Sequence, residues 1–71
     1  KEKLAMEQAM SNPLDGERLP LNIKDTRWAT KDGWVKMQQV FHFYDGSSVT
    51  IHYMINEELY LMDDFKFVYP V

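Results

Sequence analysis

The 71-residue sequence contains no cysteine, which excludes disulfides, thiolate metal sites and catalytic thiols. It lacks any apolar run near the roughly 18 residues of a membrane span, and its first residues lack the long apolar stretch of a signal peptide. It also lacks a basic excess, since 8 Lys and Arg against 11 Asp and Glu give a net charge of −3. Domains that hold nucleic acid by bulk electrostatics are usually strongly basic. Any nucleic-acid role therefore needs a local basic cluster, or delivery by another protein.

The sequence begins without Met and inside a segment of helical composition, so we expect a C-terminal fragment of a longer protein. Its length suits a single domain, 1–71, with one hydrophobic core. A domain this small lies near the stability threshold unless something else supports it, and without disulfides a partner protein is the expected support. We expect no cofactor and, for the isolated domain, no membrane.

The order of residue types predicts an α+β fold in which an N-terminal helix packs on a three- to four-stranded antiparallel β-meander. Residues 1–11 are free of Gly and Pro and rich in helix formers, which predicts the helix. Residues 12–33 predict a loop with a short extended segment near 21–23. Residues 34–70 contain three runs in which apolar and polar residues alternate, which predicts the meander.

The numbering of the apolar residues constrains how the three strands pair. In each run the apolar set has odd numbers, with Gln39 and Asp63 as the polar exceptions. For these side chains to share one face, paired residues must sum to an even number, and three-residue loops at 45–47 and 56–58 are the simplest solution. The apolar face then needs a cover. The candidates for that cover are the helix and three leucines, Leu14, Leu19 and Leu21.

This register predicts which side chains meet on the opposite, even-numbered face. Thr50 lies between His42 and Asp64 on the neighbouring strands, and His52 lies diagonally from His42. Lys66 lies across from the start of the second strand. The even-numbered face collects the following residues: Trp34, Lys36, Gln38, His42, Tyr44, Thr50, His52, Tyr60, Asp64 and Lys66.

These residue types match the needs of a metal-free ribonuclease. Such an enzyme needs a group that takes the proton of a ribose 2′-OH, a group that protonates the leaving 5′-oxygen, and cations that hold the phosphate. Imidazole titrates near neutral pH, so His42 and His52 are the candidates for proton transfer. The candidate cations are Lys36, Lys66 and Arg27.

Each residue also has a plain structural interpretation. A His or Lys on the wet face of a strand is more often a surface residue than a catalytic group, and Asp64 can pair with a lysine. A metal site on Asp63 and Asp64 is a weaker alternative, because adjacent strand residues point to opposite faces unless a bulge intervenes. Trp28 and Trp34 can stack bases or simply pack. A non-enzymatic binding module, such as an acidic immunity protein or an adaptor, stays open as well.

Several short segments together resemble the extreme C-termini of bacterial polymorphic toxins, the effector tips of contact-dependent growth inhibition and Rhs-type proteins. The matching segments are Thr26–Trp28, Gly33–Met37, Ile51–Tyr53 with Asn56, and Asp63–Phe67. The resemblance spans about residues 19–69. Such domains look like ribonucleases that are neutralised by a cognate immunity protein. Some cleave tRNA, and some exploit elongation factor Tu.

The resemblance implies a toxin domain of a secreted or cell-surface effector that is delivered to the cytoplasm of a target bacterium. Its expected partners are tRNA, a cognate immunity protein and elongation factor Tu. It favours His52 and Arg27 for catalysis, whereas His42 lies outside the matched segments. The candidate catalytic residues are His52, Arg27, His42 and Asp64, and the candidate substrate-binding residues are Lys36, Lys66, Thr50 and Trp34. The acidic charge departs from free-acting ribonuclease toxins and favours a route assisted by elongation factor Tu.

Overall fold

The computed structural model describes residues 1–20 and 23–69 and confirms the α+β fold. Helix α1 (Glu2–Ser11) and a 3₁₀ turn (Pro13–Asp15) precede the sheet. The strands are β1 (Glu17–Arg18), β2 (Trp34–His42), β3 (Ser48–Asn56) and β4 (Leu61–Val68), with a second 3₁₀ turn at Thr30–Asp32. All neighbouring strands are antiparallel and pair in chain order, so the sheet is a meander.

The short extended segment lies earlier in the chain than predicted. It is β1, which pairs with Met37 and Gln38 of β2. Of the predicted range, residues 21–22 lie outside the described residues and Ile23 belongs to no strand.

The helix covers the odd-numbered face of the sheet, as predicted. Ala5 and Ala9 lie one turn apart and are buried to 1% and 0% exposure, because small side chains let the helix approach the strands closely. They pack with an apolar cluster from β2 and β3: Met37, Ile51, Tyr53 and Ile55. The prediction that Leu14 contributes to this cover is wrong, since Leu14 is 74% exposed. Leu19 is half-buried, and Leu21 lies outside the described residues.

Gln39, the polar exception on β2, joins the end of the helix to the sheet. Its Nε2 donates to the carbonyl of Asn12 at 2.8 Å and to the hydroxyl of Tyr53 at 3.0 Å. The Tyr53 hydroxyl in turn donates to the carbonyl of Pro13, and burial raises the pKa of Tyr53. The amide therefore links the chain that follows the helix to β2 and β3.

The first hairpin has a three-residue loop, but the loop begins one residue earlier than predicted. The amide of Phe43 bonds the carbonyl of Ser47, so the loop is Tyr44–Gly46 rather than 45–47. The third position of such a loop takes the left-handed conformation, and Gly46 supplies it with φ of 87°. The numbers of paired residues still have an even sum, but this sum is two lower than in the predicted register. His42 therefore lies opposite Ser48, and the predicted pairing with Thr50 is wrong.

The second hairpin departs further from the prediction. Asn56 pairs with Leu61, so the loop is 57–60 and not 56–58. Next to this loop the numbers of paired residues have an odd sum, as in Met54 opposite Asp63. An extra residue in β4 then restores an even sum, as in His52 opposite Lys66. This β-bulge places Asp64 at φ of 57°, and Tyr60 in the loop has φ of 56°.

The bulge corrects several predicted neighbours. Thr50 lies opposite Val68, not Asp64, and Lys66 lies opposite His52, not at the start of β3. Asp63 precedes the bulge and pairs with Met54, so it lies on the even-numbered face. This explains why a polar residue occupies an odd-numbered position in the third run. Tyr44 and Tyr60, predicted on the even-numbered face, lie exposed in the two loops.

The segment 23–33 folds over one end of the even-numbered face, which is therefore not wholly wet. Met54 and Asn56 belong to this face but are only 4% and 2% exposed. The Asn56 amide donates to the carbonyl of Asp32 at 3.0 Å, and Ala29 is buried to 4%. The open part of the face therefore lies toward the middle of the strands. Among the residues that the structure describes, no helix has the length and apolar character needed to cross a bilayer.

Candidate functional site

His52 lies in the middle of β3 on the even-numbered face, with a polar neighbour on each adjacent strand. Gln38 of β2 and Lys66 of β4 lie directly opposite it. Lys36 lies two residues from Gln38 on β2, opposite Met54, and therefore on the same face. We call these four residues, Lys36, Gln38, His52 and Lys66, the imidazole patch. The prediction that these side chains share one face is confirmed.

Gln38 orients the imidazole. Nε2 of His52 lies 2.8 Å from Oε1 of Gln38. Because a carbonyl oxygen only accepts hydrogen bonds, Nε2 carries the hydrogen, and Nδ1 keeps the lone pair. The free nitrogen of this tautomer can accept a proton from a substrate. Gln38 is therefore a positioning residue, which sequence reasoning placed on this face without giving it a role.

The surroundings lower the pKa of His52 below its ordinary value of 6.5. Partial burial contributes most, since it disfavours the charged imidazolium, and the ammonium groups of Lys36 and Lys66 contribute through charge repulsion. The imidazole is therefore neutral at pH 7 and available as a base. A neutral base between two cations is an arrangement that suits a negatively charged substrate.

Lys66 has one acidic neighbour in the patch. Its Nζ lies 3.4 Å from Oδ2 of Asp64, and both side chains are partly exposed, at 52% and 32%. Exposed ion pairs of this kind are weak, so a phosphate can compete with the carboxylate for the ammonium group. Asp64 itself lies at the bulge, which explains why the odd-numbered Asp63 lies on the same face of the sheet as Lys66.

The structure does not bring His42 to this patch. His42 lies opposite Ser48 and is exposed, four residues along β3 from the position of His52. At a rise of about 3.3 Å per residue, this separation is about 13 Å along the sheet. The predicted diagonal contact between the two imidazoles is wrong, because the register differs by two residues. Thr50 and Trp34 share the face but lie in other rows, opposite Val68 and Asn56.

Arg27 lies in the segment over the end of the face and stacks on its neighbour Trp28. The guanidinium carbon is 4.1 Å from the centroid of the Trp28 ring, and Arg27 Nε is 3.6 Å from Oδ1 of Asp25. The indole Nε1 donates to Oδ2 of Asp63 at 3.3 Å. This bond fixes Trp28 against β4, one row from His52. The tie between residues 28 and 63 is non-local, so no periodicity in the sequence could reveal it.

The acidic and imidazole side chains do not assemble a metal centre in the part of the chain that the structure describes. No group of three or more His, Asp and Glu side chains there is close enough to hold an ion. The bulge that the metal alternative required is present, yet Asp63 and Asp64 are engaged by Trp28 and Lys66.

No protein-family model matches the sequence, and neither a curated protein nor a solved structure shows significant similarity to it.

Proposed function

We propose that this domain is a metal-independent ribonuclease that acts on tRNA, with His52 as the general base. The observation that carries the proposal is the row in β2, β3 and β4 that places a neutral, oriented imidazole directly beside an ammonium group. Lys36 and Lys66 would hold the scissile phosphate. A catalytic role for His42 is not included, because it lies too far along the sheet.

The proposed reaction is an internal transesterification. Nδ1 of His52 takes the proton of a ribose 2′-OH, and the 2′-oxygen forms a bond to the adjacent phosphorus. The bond from phosphorus to the 5′-oxygen breaks, and that oxygen takes a proton from the Lys66 ammonium group or from water. The products are a 2′,3′-cyclic phosphate and a 5′-hydroxyl. Both lysines stabilise the charge that develops on the phosphorane.

The resemblance to polymorphic toxins supplies the biological setting of the proposal. The domain would act in the cytoplasm of a target bacterium and be neutralised by a cognate immunity protein. With a net charge of −3 it has no electrostatic funnel of its own for RNA, which favours tRNA presented by elongation factor Tu.

The chain offers a matched pair of variants for the test, His52→Ala and His42→Ala. We expect the wild-type domain to cut tRNA faster when elongation factor Tu is added than in its absence, and to leave a 2′,3′-cyclic end in the presence of EDTA. His52→Ala should lose about 10²–10⁴-fold in rate, the range for a general base, while His42→Ala changes little. Circular dichroism should show both variants folded. A fully active His52→Ala, or intact tRNA after incubation with the wild type, would contradict the proposal.

A binding module is the second candidate, and an exposed apolar end of the molecule favours it. A groove of about 500 Å³ is bordered by the 3₁₀ turn after the helix and by the β3–β4 hairpin. Large apolar side chains stay exposed around this end: Leu14, Leu59, Tyr60, Leu61 and Met62. Apolar surface of this kind often marks a protein interface. This function predicts that expression harms no cell and that tRNA stays whole.

A further inference from the structure

Arg27 and Trp28 form a cation–π surface that the proposed reaction does not use. The guanidinium carbon lies over the indole ring, 4.1 Å from its centroid, which is a distance typical of a cation–π contact. The Arg27 side chain is 71% exposed, so the outer side of the guanidinium faces solvent. The indole behind it is half-buried and supports it.

Two contacts hold this surface in place. The indole Nε1 donates to Oδ2 of Asp63 at 3.3 Å, which ties the ring to β4. On the other side, the backbone amide of Arg27 donates to Oδ1 of Asp25 at 2.9 Å, and its Nε lies 3.6 Å from the same oxygen. This pair with Asp25 is exposed and contributes little energy, so its role is to orient the guanidinium group over Trp28.

The position of the surface relates it to the imidazole patch. Asp63 lies opposite Met54, and Met54 lies two residues from His52 on the same face of β3. Two residues of a strand span about 7 Å. This is comparable to the separation of neighbouring nucleotides in an extended single strand. A strand whose phosphate lies at the patch would bring its next base toward Trp28.

From this placement we infer that Arg27 and Trp28 form a stacking subsite for an unpaired purine next to the scissile phosphate. The inference rests on the proposed function, because it takes the bound RNA to cross the imidazole patch. Arg planes and aromatic rings both stack on nucleobases, and purines offer the larger face. The subsite would select RNA in which an unpaired adenine or guanine flanks the cut.

Binding to a probe that cannot be cleaved separates this subsite from the chemistry at His52. The probe is 2′-O-methyl hexa-adenosine with a fluorescent 5′ end, and its control is an abasic hexamer of the same charge. We expect the anisotropy titration to give a Kd about tenfold lower for the adenine-bearing probe. Equal Kd values for the two probes would overturn the inference.

Variants of Arg27 distinguish stacking from charge. Arg27→Lys keeps the charge but removes the plane, so we expect it to remove most of the preference for the adenine-bearing probe. Lys24→Gln, which removes a charge from the same exposed segment, should leave that preference unchanged. A preference that survives in Arg27→Lys would overturn the inference. A domain that prefers the adenine probe but never cuts RNA would contradict the proposed function alone, and one that cuts RNA with no preference would contradict the subsite alone.

Discussion

At the scale of single residues, the chemistry depends on the charge state of His52. Partial burial and the ammonium groups of Lys36 and Lys66 all lower its pKa below 6.5. Two acidic residues lie beside the patch: Asp64, which pairs with Lys66, and Glu17, which lies opposite Gln38 on β1. The neutral imidazole is thus a consequence first of partial burial and second of the lysines that would also bind the phosphate.

The lysines can be tested through this pKa. In an NMR titration of the wild-type domain, the His52 signals should titrate below 6.5. The double variant Lys36→Gln/Lys66→Gln should titrate at higher pH, because two repulsive charges are removed. Lys3→Gln, an exposed change on the helix, should leave the titration unchanged. An unshifted pKa in the double variant would mean that burial alone sets the value.

The sign of the shift also fixes how stability and activity follow pH. The folded state binds the His52 proton less readily than the unfolded state does. The free energy of unfolding is therefore not reduced by this group above about pH 6.5, and it falls as the pH drops toward the pKa of the folded state. Activity that needs the neutral base should fall across the same acid range. In the double lysine variant the acid limb of the activity profile should move to higher pH.

Only part of the site could be predicted from the sequence. Alternation alone correctly placed Lys36, His52 and Lys66 on one face, because the side-chain period of a strand is two residues. The pairing of His42 with His52 failed, since the register depends on which loop residue takes positive φ. The position of Trp28 could not be predicted, because a hydrogen bond between residues 28 and 63 leaves no local pattern.

At the scale of elements, both hairpins show where alternation loses its predictive power. In the first, only Gly46 can take the third loop position without strain, and this moves the register by two residues without changing the faces. In the second, Tyr60 and Asp64 take positive φ although neither is glycine. The amino-acid sequence does not indicate which non-glycine residues take positive φ. The bulge at Asp64 therefore could not be predicted, although it alone brings Lys66 opposite His52.

The bulge makes a prediction about Asp64. Asp64→Val should reduce the free energy of unfolding by about 1–2 kcal/mol, because a β-branched residue fits poorly at positive φ. Asn tolerates this conformation, so Asp64→Asn should change stability by less than about 0.5 kcal/mol. Urea denaturation measures both.

Lys66→Val is the matched control for this prediction. It removes the same ion pair as Asp64→Val and introduces the same side chain, but it lies two residues further along β4 on ordinary strand backbone. Its stability should stay within about 0.5 kcal/mol of the wild type, since exposed pairs contribute little. If the two valine variants lost equal stability, the backbone at Asp64 would not be the cause.

At the scale of the whole molecule, the charge distribution limits how the proposed RNA substrate would be held. The net charge is −3, so attraction over long distances is weak, and binding must come from the few cations near His52. Lys36 and Lys66 flank the imidazole, whereas Arg18 pairs with Glu57 at the loop after β3. Under the proposed function, this charge distribution favours substrate that another protein presents, as proposed for elongation factor Tu.

The salt dependence of binding tests this view. Each phosphate contact to a single strand adds about −0.7 to the slope of log K against log salt concentration, so two lysines predict a slope of about −1.4. Lys66→Gln should reduce the slope to about −0.7, and Lys3→Gln should leave it unchanged. The measurement uses 2′-O-methyl hexa-adenosine across a series of salt concentrations. A slope steeper than about −3 would require phosphate contacts beyond Lys36 and Lys66, and the substrate would then be held by a wider surface than the imidazole patch.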